Sequence, residues 1–151
     1  MRKKPARLSA LLGGACLLAG CASGPQTQAL APAGFDRVTV GGELRQRIER
    51  NFDRLETDYY QPDQVYWTEE QSGGWPGDKE GRTILALVLD ARASGRTPLY
   101  LDELIRRLPR ELNAKGYLGS IHEGSADEQQ LSGHGWLLRG LCEYYAWKKD
   151  P

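Results

Sequence analysis

The residue types best suited to chemistry are carboxylates set beside aromatic and glycine-rich turns. Asp78 and Glu80 follow Trp75-Pro76-Gly77 and open a long apolar stretch. Carboxylates in the first turn of a helix cap free N–H groups and interact favourably with the helix dipole. The same groups beside an indole suit a polyol, because sugar sites join hydrogen-bonding carboxylates to a flat aromatic platform, here Trp75. Hydrolysis of a glycosidic bond asks for more. It needs two carboxyl groups, about 5–5.5 Å apart for retention or about 6.5–9.5 Å for inversion, a distance that chain spacing does not supply. His134 is the other candidate, between Gly133 and Gly135 at the head of a later apolar segment. Small neighbours let something approach its ring, either a ligand or another stretch of backbone.

Other chemistries find little support. His122 and Glu123 adjoin and His134 follows, but there is no His-Glu-x-x-His or Cys-x-x-Cys spacing, so neither a metal nor another cofactor is expected. No Gly-x-Ser-x-Gly elbow occurs, and Gly73-Gly74 precedes a Trp-Pro turn, poor geometry for a phosphate cradle. Cys142 sits on an apolar helical pattern and is expected to be a small buried hydrophobe rather than a nucleophile or ligand.

Four helices are expected to position these groups. Gly42 to Tyr59 carries Leu44, Ile48, Phe52, Leu55 and Tyr59 on one stripe and charged residues on the other. Gln61 to Gly77 reads as loop, and its Tyr66, Trp67 and Trp75 either cap a core or line a sugar site. Asp78 to Ala93 forms the second helix, with Asp78 as a candidate N-cap and Gly95 as its stop. Its run from Ile84 to Leu89 is apolar on nearly all sides and should be buried on nearly all sides. Thr97 as N-cap and Pro98 at the first position open the third helix, whose stripe runs from Leu101 to Leu112 and which Pro109 should kink or end. A loop marked by Gly116, Gly119 and Gly124 leads to the fourth helix, Leu131 to Trp147. With no convincing strand, the class is all-α, in antiparallel helical hairpins.

The chain of 151 residues has room for one ordinary domain, and its 40% hydrophobic content excludes a polytopic membrane protein. The N-terminus reads as an address. Arg2, Lys3, Lys4 and Arg7 precede an uncharged run from Leu8 to Gly20, too short to span a bilayer. The run ends in Leu18-Ala19-Gly20-Cys21, which resembles the lipobox of bacterial lipoproteins. That resemblance implies cleavage of residues 1–20, lipidation of Cys21 and, with Ala22 after it, an outer-membrane protein facing the periplasm. Residues 21–34 are the lipidated cysteine and a flexible linker, and 35–151 the folded domain. Cleavage removes four basic residues and no acid from a balance of 20 against 20, leaving a mildly acidic chain with no reason to bind nucleic acid. It also leaves Cys142 as the one unmodified thiol, so no internal disulfide is expected.

Four motifs in order carry a further resemblance. Val40-Gly41-Gly42-Glu43-Leu44-Arg45-Gln46-Arg47-Ile48, Trp75-Pro76-Gly77-Asp78-Lys79-Glu80-Gly81-Arg82, Leu101-Asp102-Glu103-Leu104-Ile105 with Gly116-Tyr117-Leu118-Gly119-Ser120, and Gly133-His134-Gly135-Trp136 are similar to the N-terminal part of β-L-arabinofuranosidase-like glycoside hydrolases, family 127. The resemblance implies an (α/α)6 barrel of helical hairpins, here a partial one of about four helices, and ancestral activity on plant-type arabinofuranoside glycans. It places His134, Asp78 and Glu80 at a substrate site, beside the aromatic platform Trp75 read from the residues themselves. The family's cysteine nucleophile, acid/base glutamate and zinc ligands lie downstream of the matched region, so the catalytic residues are unassigned and a truncated domain without turnover is expected. Its partners would be a carbohydrate, the membrane through the lipid, and the missing C-terminal half or an oligomer partner. The alternative is a non-catalytic glycan-binding or scaffolding helical lipoprotein.

Overall fold

The computed structural model describes residues 33–66, 74–125 and 127–149. The signal segment, Cys21 and the linker through Pro32 lie outside the described residues, as does Trp67. The domain from Ala33 onward is all-α: among the described residues there are five α-helices and no strand. They are α1 (Gly42–Leu55), a single turn α2 (Pro62–Val65), α3 (Asp78–Ser94), α4 (Leu101–Glu111) and α5 (Glu128–Lys148). Short 3-10 turns stand at Phe35–Arg37 and Asp58–Tyr60.

The long apolar helix α3 is the centre. Glu80, Gly81, Thr83, Ile84, Leu85, Leu87, Val88, Ala91 and Ser94 are all buried, as an all-round apolar pattern requires. Phe52 and Leu55 of α1, Val65 and Tyr66, Leu101, Leu104 and Leu108 of α4, Leu118 and Leu137 complete the core. Full burial of such side chains stabilises by roughly 1.5–3 kcal/mol each before entropy is counted.

Contacts give the directions. Asn51 bonds Asp90 and Arg45 bonds the Ser94 carbonyl, so α1 runs antiparallel to α3. Leu104 and Arg107 of α4 meet Tyr66 and Asp63, close to the start of α3 where Lys79 bonds the Gln64 carbonyl, so α4 also runs back. Helix α5 then runs parallel to α3, with Gly133 against Pro76, Leu137 against Gly81 and Gly140 against Leu85. Glycine makes this crossing possible. A methyl group at Gly81 would overlap the backbone of Trp136 and Leu137, and one at Gly133 would overlap the Pro76 carbonyl.

Several boundaries differ from the sequence pattern, each for a local reason. Helix α1 stops at Leu55 rather than Tyr59, because the Thr57 hydroxyl takes the Arg54 carbonyl (2.8 Å) and a 3-10 turn follows. Its stripe is exposed at the start, where Leu44 is 63% exposed. Asp78 is the first residue of α3, and Gly77, left-handed at φ 91°, is the cap. Gly95, left-handed at φ 76°, ends the helix as expected. Thr97 and Pro98 do not open α4. The Glu56 carboxylate holds the Leu99 N–H (3.0 Å), and the helix begins only at Leu101. Pro109 is carried within α4, which stops two residues later at Glu111. Helix α5 starts one turn early because Asp127 accepts the Gln130 N–H (2.8 Å).

Candidate functional site

Gly77 turns the chain into α3 and places three consecutive residues differently. Asp78 and Lys79 face an open cleft, while Glu80 faces inward. The cleft, about 650 Å³, lies between the end of α1 with its 3-10 turn and the first half of α3. Tyr59, Tyr60 and Trp75 supply its aromatic surface, and Arg54, Asp78, Lys79 and Arg82 its polar groups, with Leu55, Thr83 and Ala86 completing it. Tyr59 and Tyr60 meet edge to face, ring centres 5.0 Å apart. Trp75 is 41% exposed and Tyr59 58% exposed, more than expected of aromatics serving only as core.

Charges inside the cleft are held in place. Asp78 pairs with Arg82 one turn on (2.9 Å). The Lys79 ammonium donates to the Gln64 carbonyl (2.6 Å) and lies 4.0 Å from the Tyr59 ring centre. Burial lowers the Lys79 pKa from its usual value. Among the described residues that line the cleft, Asp78 is the one carboxylate. Such a surface offers stacking faces beside fixed donors and acceptors.

Of the four residues expected at a substrate site, two share this cleft, Trp75 and Asp78. Glu80 does not. Its side chain is 3% exposed and accepts the Gly77 N–H (2.9 Å), tying the cap to the third residue of the helix. Burial pushes its carboxyl up to about 7, against the smaller opposing effect of backbone hydrogen bonds. His134 is also turned away. Its Nε2 accepts the Leu118 N–H (3.0 Å), so Nδ1 carries the proton and donates to the Gln130 carbonyl (2.6 Å). The neighbour admitted beside it is therefore backbone. Gln130 joins in, donating to the carbonyls of Leu118 (2.6 Å) and Ser120 (3.0 Å).

Three of the glycine-rich motifs thus meet at one place. The Trp75–Gly81 turn, the Gly116–Ser120 turn and the Gly133–Trp136 segment lock together at the start of α3, with Gly119 and Gly133 both packed against Pro76. The three loop aromatics divide: Tyr66 caps the core and donates to the Leu104 carbonyl (2.5 Å), Trp75 lines the cleft, and Trp67 is outside the described residues. Cys142 is exposed rather than buried, because α5 presents apolar residues on its outer side as well as toward α3. No group of three His, Cys, Asp or Glu side chains gathers as a metal site among the described residues, and none of their helices is long and apolar enough to cross a membrane.

Sequence patterning missed Tyr59 and Tyr60, because Tyr59 continues the α1 stripe at helical spacing. The signal was present in the adjacent Thr57-Asp58 and Gln61-Pro62, which interrupt a helix on either side of the pair. No family model matches this chain, and neither a curated protein nor a solved structure does.

Proposed function

We propose that this is a lipid-anchored protein of the bacterial cell envelope whose helical domain binds carbohydrate in the cleft between α1 and α3. The observation that carries the reading is the cleft itself: Trp75, Tyr59 and Tyr60 exposed around Asp78, Arg82, Arg54 and Lys79. Stacking of a sugar ring on an aromatic face, with hydroxyls bonded to fixed charged groups, is the chemistry this lining offers.

The ligand class is an arabinofuranoside-type glycan, with the domain derived from the N-terminal hairpins of a six-hairpin glycosidase. The parallel α3 and α5, each preceded by an antiparallel helix, support that derivation, since hairpins set side by side in a ring repeat this arrangement. So does the meeting of three motifs at the start of α3. Binding is the activity proposed, since Asp78 offers the cleft a carboxylate fixed by Arg82 while Glu80 is tied to the Gly77 N–H in the interior. Lipidation at Cys21 would place the domain at the outer membrane facing the periplasm, on a linker reaching about 40 Å when extended.

Calorimetric titration with arabino-oligosaccharides tests this. Heat of binding is expected from the wild type and loss of about tenfold or more in affinity from Trp75→Ala, the scale of one well-packed aromatic contact. No heat with any pentose glycan would refute the reading. For the anchor, a mature mass without lipid, unchanged by Cys21→Ser, would refute that part separately.

A further inference from the structure

Helix α5 has two apolar sides. One carries Gly133, Leu137 and Gly140 against α3. The opposite side carries Leu131, Gly135, Leu138, Cys142 and Tyr145, all exposed. Their spacing is four, three, four and three residues, the heptad seam of paired helices. Leu131 is 66%, Leu138 64% and Tyr145 53% exposed, a contiguous row in a domain whose core lies on the other side.

The row is complementary to itself when reversed. Acidic Asp127 and Glu128 stand at its head, and basic Lys148 and Lys149 at its foot. A parallel copy would bring like charges together at both ends and set Gly135 against Gly135. An antiparallel copy, related by a two-fold axis midway between Gly135 and Leu138, does the reverse. It lays Leu138 over the gap at the partner copy's glycine, sets Leu131 beside the thiol position, and brings Glu128 within about one helical turn, roughly 5 Å, of both lysines. The two helix dipoles then oppose as well.

We propose that the outer face of α5 is a homodimer interface, closed by a second copy of this chain in antiparallel orientation. A two-fold contact of this kind uses the same patch on both subunits and leaves the carbohydrate cleft, between α1 and α3, open on each. Two clefts on one lipid-anchored particle would bind a repeating glycan by avidity.

Sedimentation equilibrium of the full chain in density-matched detergent tests the proposal. A two-chain mass is expected at micromolar concentration. Leu138→Glu should weaken the dimer by about tenfold or more. Glu128→Lys should also weaken it, and Lys148→Glu with Lys149→Glu in the same chain should restore it, since opposite charges again face each other. Circular dichroism of each variant confirms that the helices persist. A one-chain mass throughout, a dimer indifferent to Leu138→Glu, or a triple variant that fails to recover would overturn the proposal. So would a Cys142–Cys142 disulfide on oxidation of the chain carrying Cys16→Ser and Cys21→Ser, because the antiparallel pair holds those thiols about ten residues apart along the axis, roughly 15 Å.

Discussion

Glu80 illustrates how a single buried carboxyl couples fold to pH. Its carboxyl has a raised pKa of about 7 in the folded protein against an ordinary 4.5, so protonation favours the folded state. The sign follows: its contribution to stability is fully present below about pH 4.5 and is lost as pH rises through about 7. Glu80→Gln keeps an acceptor for the Gly77 N–H and removes the charge. Denaturant titrations of both proteins should show the variant gaining relative to wild type across that window, by an amount on the order of 3 kcal/mol at most. A difference that stays constant with pH would be inconsistent with a buried, neutral carboxyl. His134 makes a different prediction, because both ring nitrogens are held by backbone. His134→Ala should cost about 1–3 kcal/mol by leaving the buried Leu118 N–H unpaired, and should leave glycan affinity unchanged. The sequence showed that Asp78, Glu80, Trp75 and His134 stood at helix entries. It did not show which way each side chain points, since that depends on Gly77 adopting φ 91° and on α5 lying against the same turn.

At the scale of elements, the α3–α5 crossing rests on glycines whose missing side chains are replaced by backbone. Gly140 would place a Cβ 2.8 Å from the Gly81 carbonyl oxygen, and Gly81 leaves still less room. Gly81→Ala should therefore exceed the roughly 1–3 kcal/mol usual for overpacking, because backbone rather than a flexible side chain must move. Gly135, in the same helix as Gly140, has open space around its Cβ position. Gly135→Ala should raise stability by about 0.5–1 kcal/mol through helix propensity, measured in a Leu138→Glu background so that association does not enter. Opposite signs from two glycine-to-alanine changes at one helix pair would confirm the geometry, and equal effects would contradict it. The existence and centres of the four long helices were legible in the sequence, because α3 is apolar on nearly all sides through its middle and the others carry stripes. The helix starts were less so. Thr97-Pro98 is a local opening signal, and Glu56, distant in sequence, overrides it by holding Leu99.

Across the whole molecule, α3 is the element that everything else covers. Hydrogen exchange under native conditions should find its amides from Ile84 to Ala91 the slowest, and those of the turn from Lys115 to Gly124 much faster. Uniform protection across α3 and that turn would argue against one central helix. The all-α class was legible from the alternation of apolar helices and glycine-rich loops. The cleft was not, because it forms between Tyr59–Tyr60 and Trp75–Ala86, segments that no local pattern brings together. Nor was the second apolar side of α5, because the apolar pattern around Cys142 points to a buried stripe until the Gly133–Gly140 side is found against α3. The most direct test of the account is a backbone amide NMR titration with an arabino-oligosaccharide. Shifts confined to Arg54–Tyr60 and Trp75–Ala86, and abolished by Trp75→Ala, are the predicted result. No shifts, or shifts centred on the outer face of α5, would contradict carbohydrate binding in the cleft.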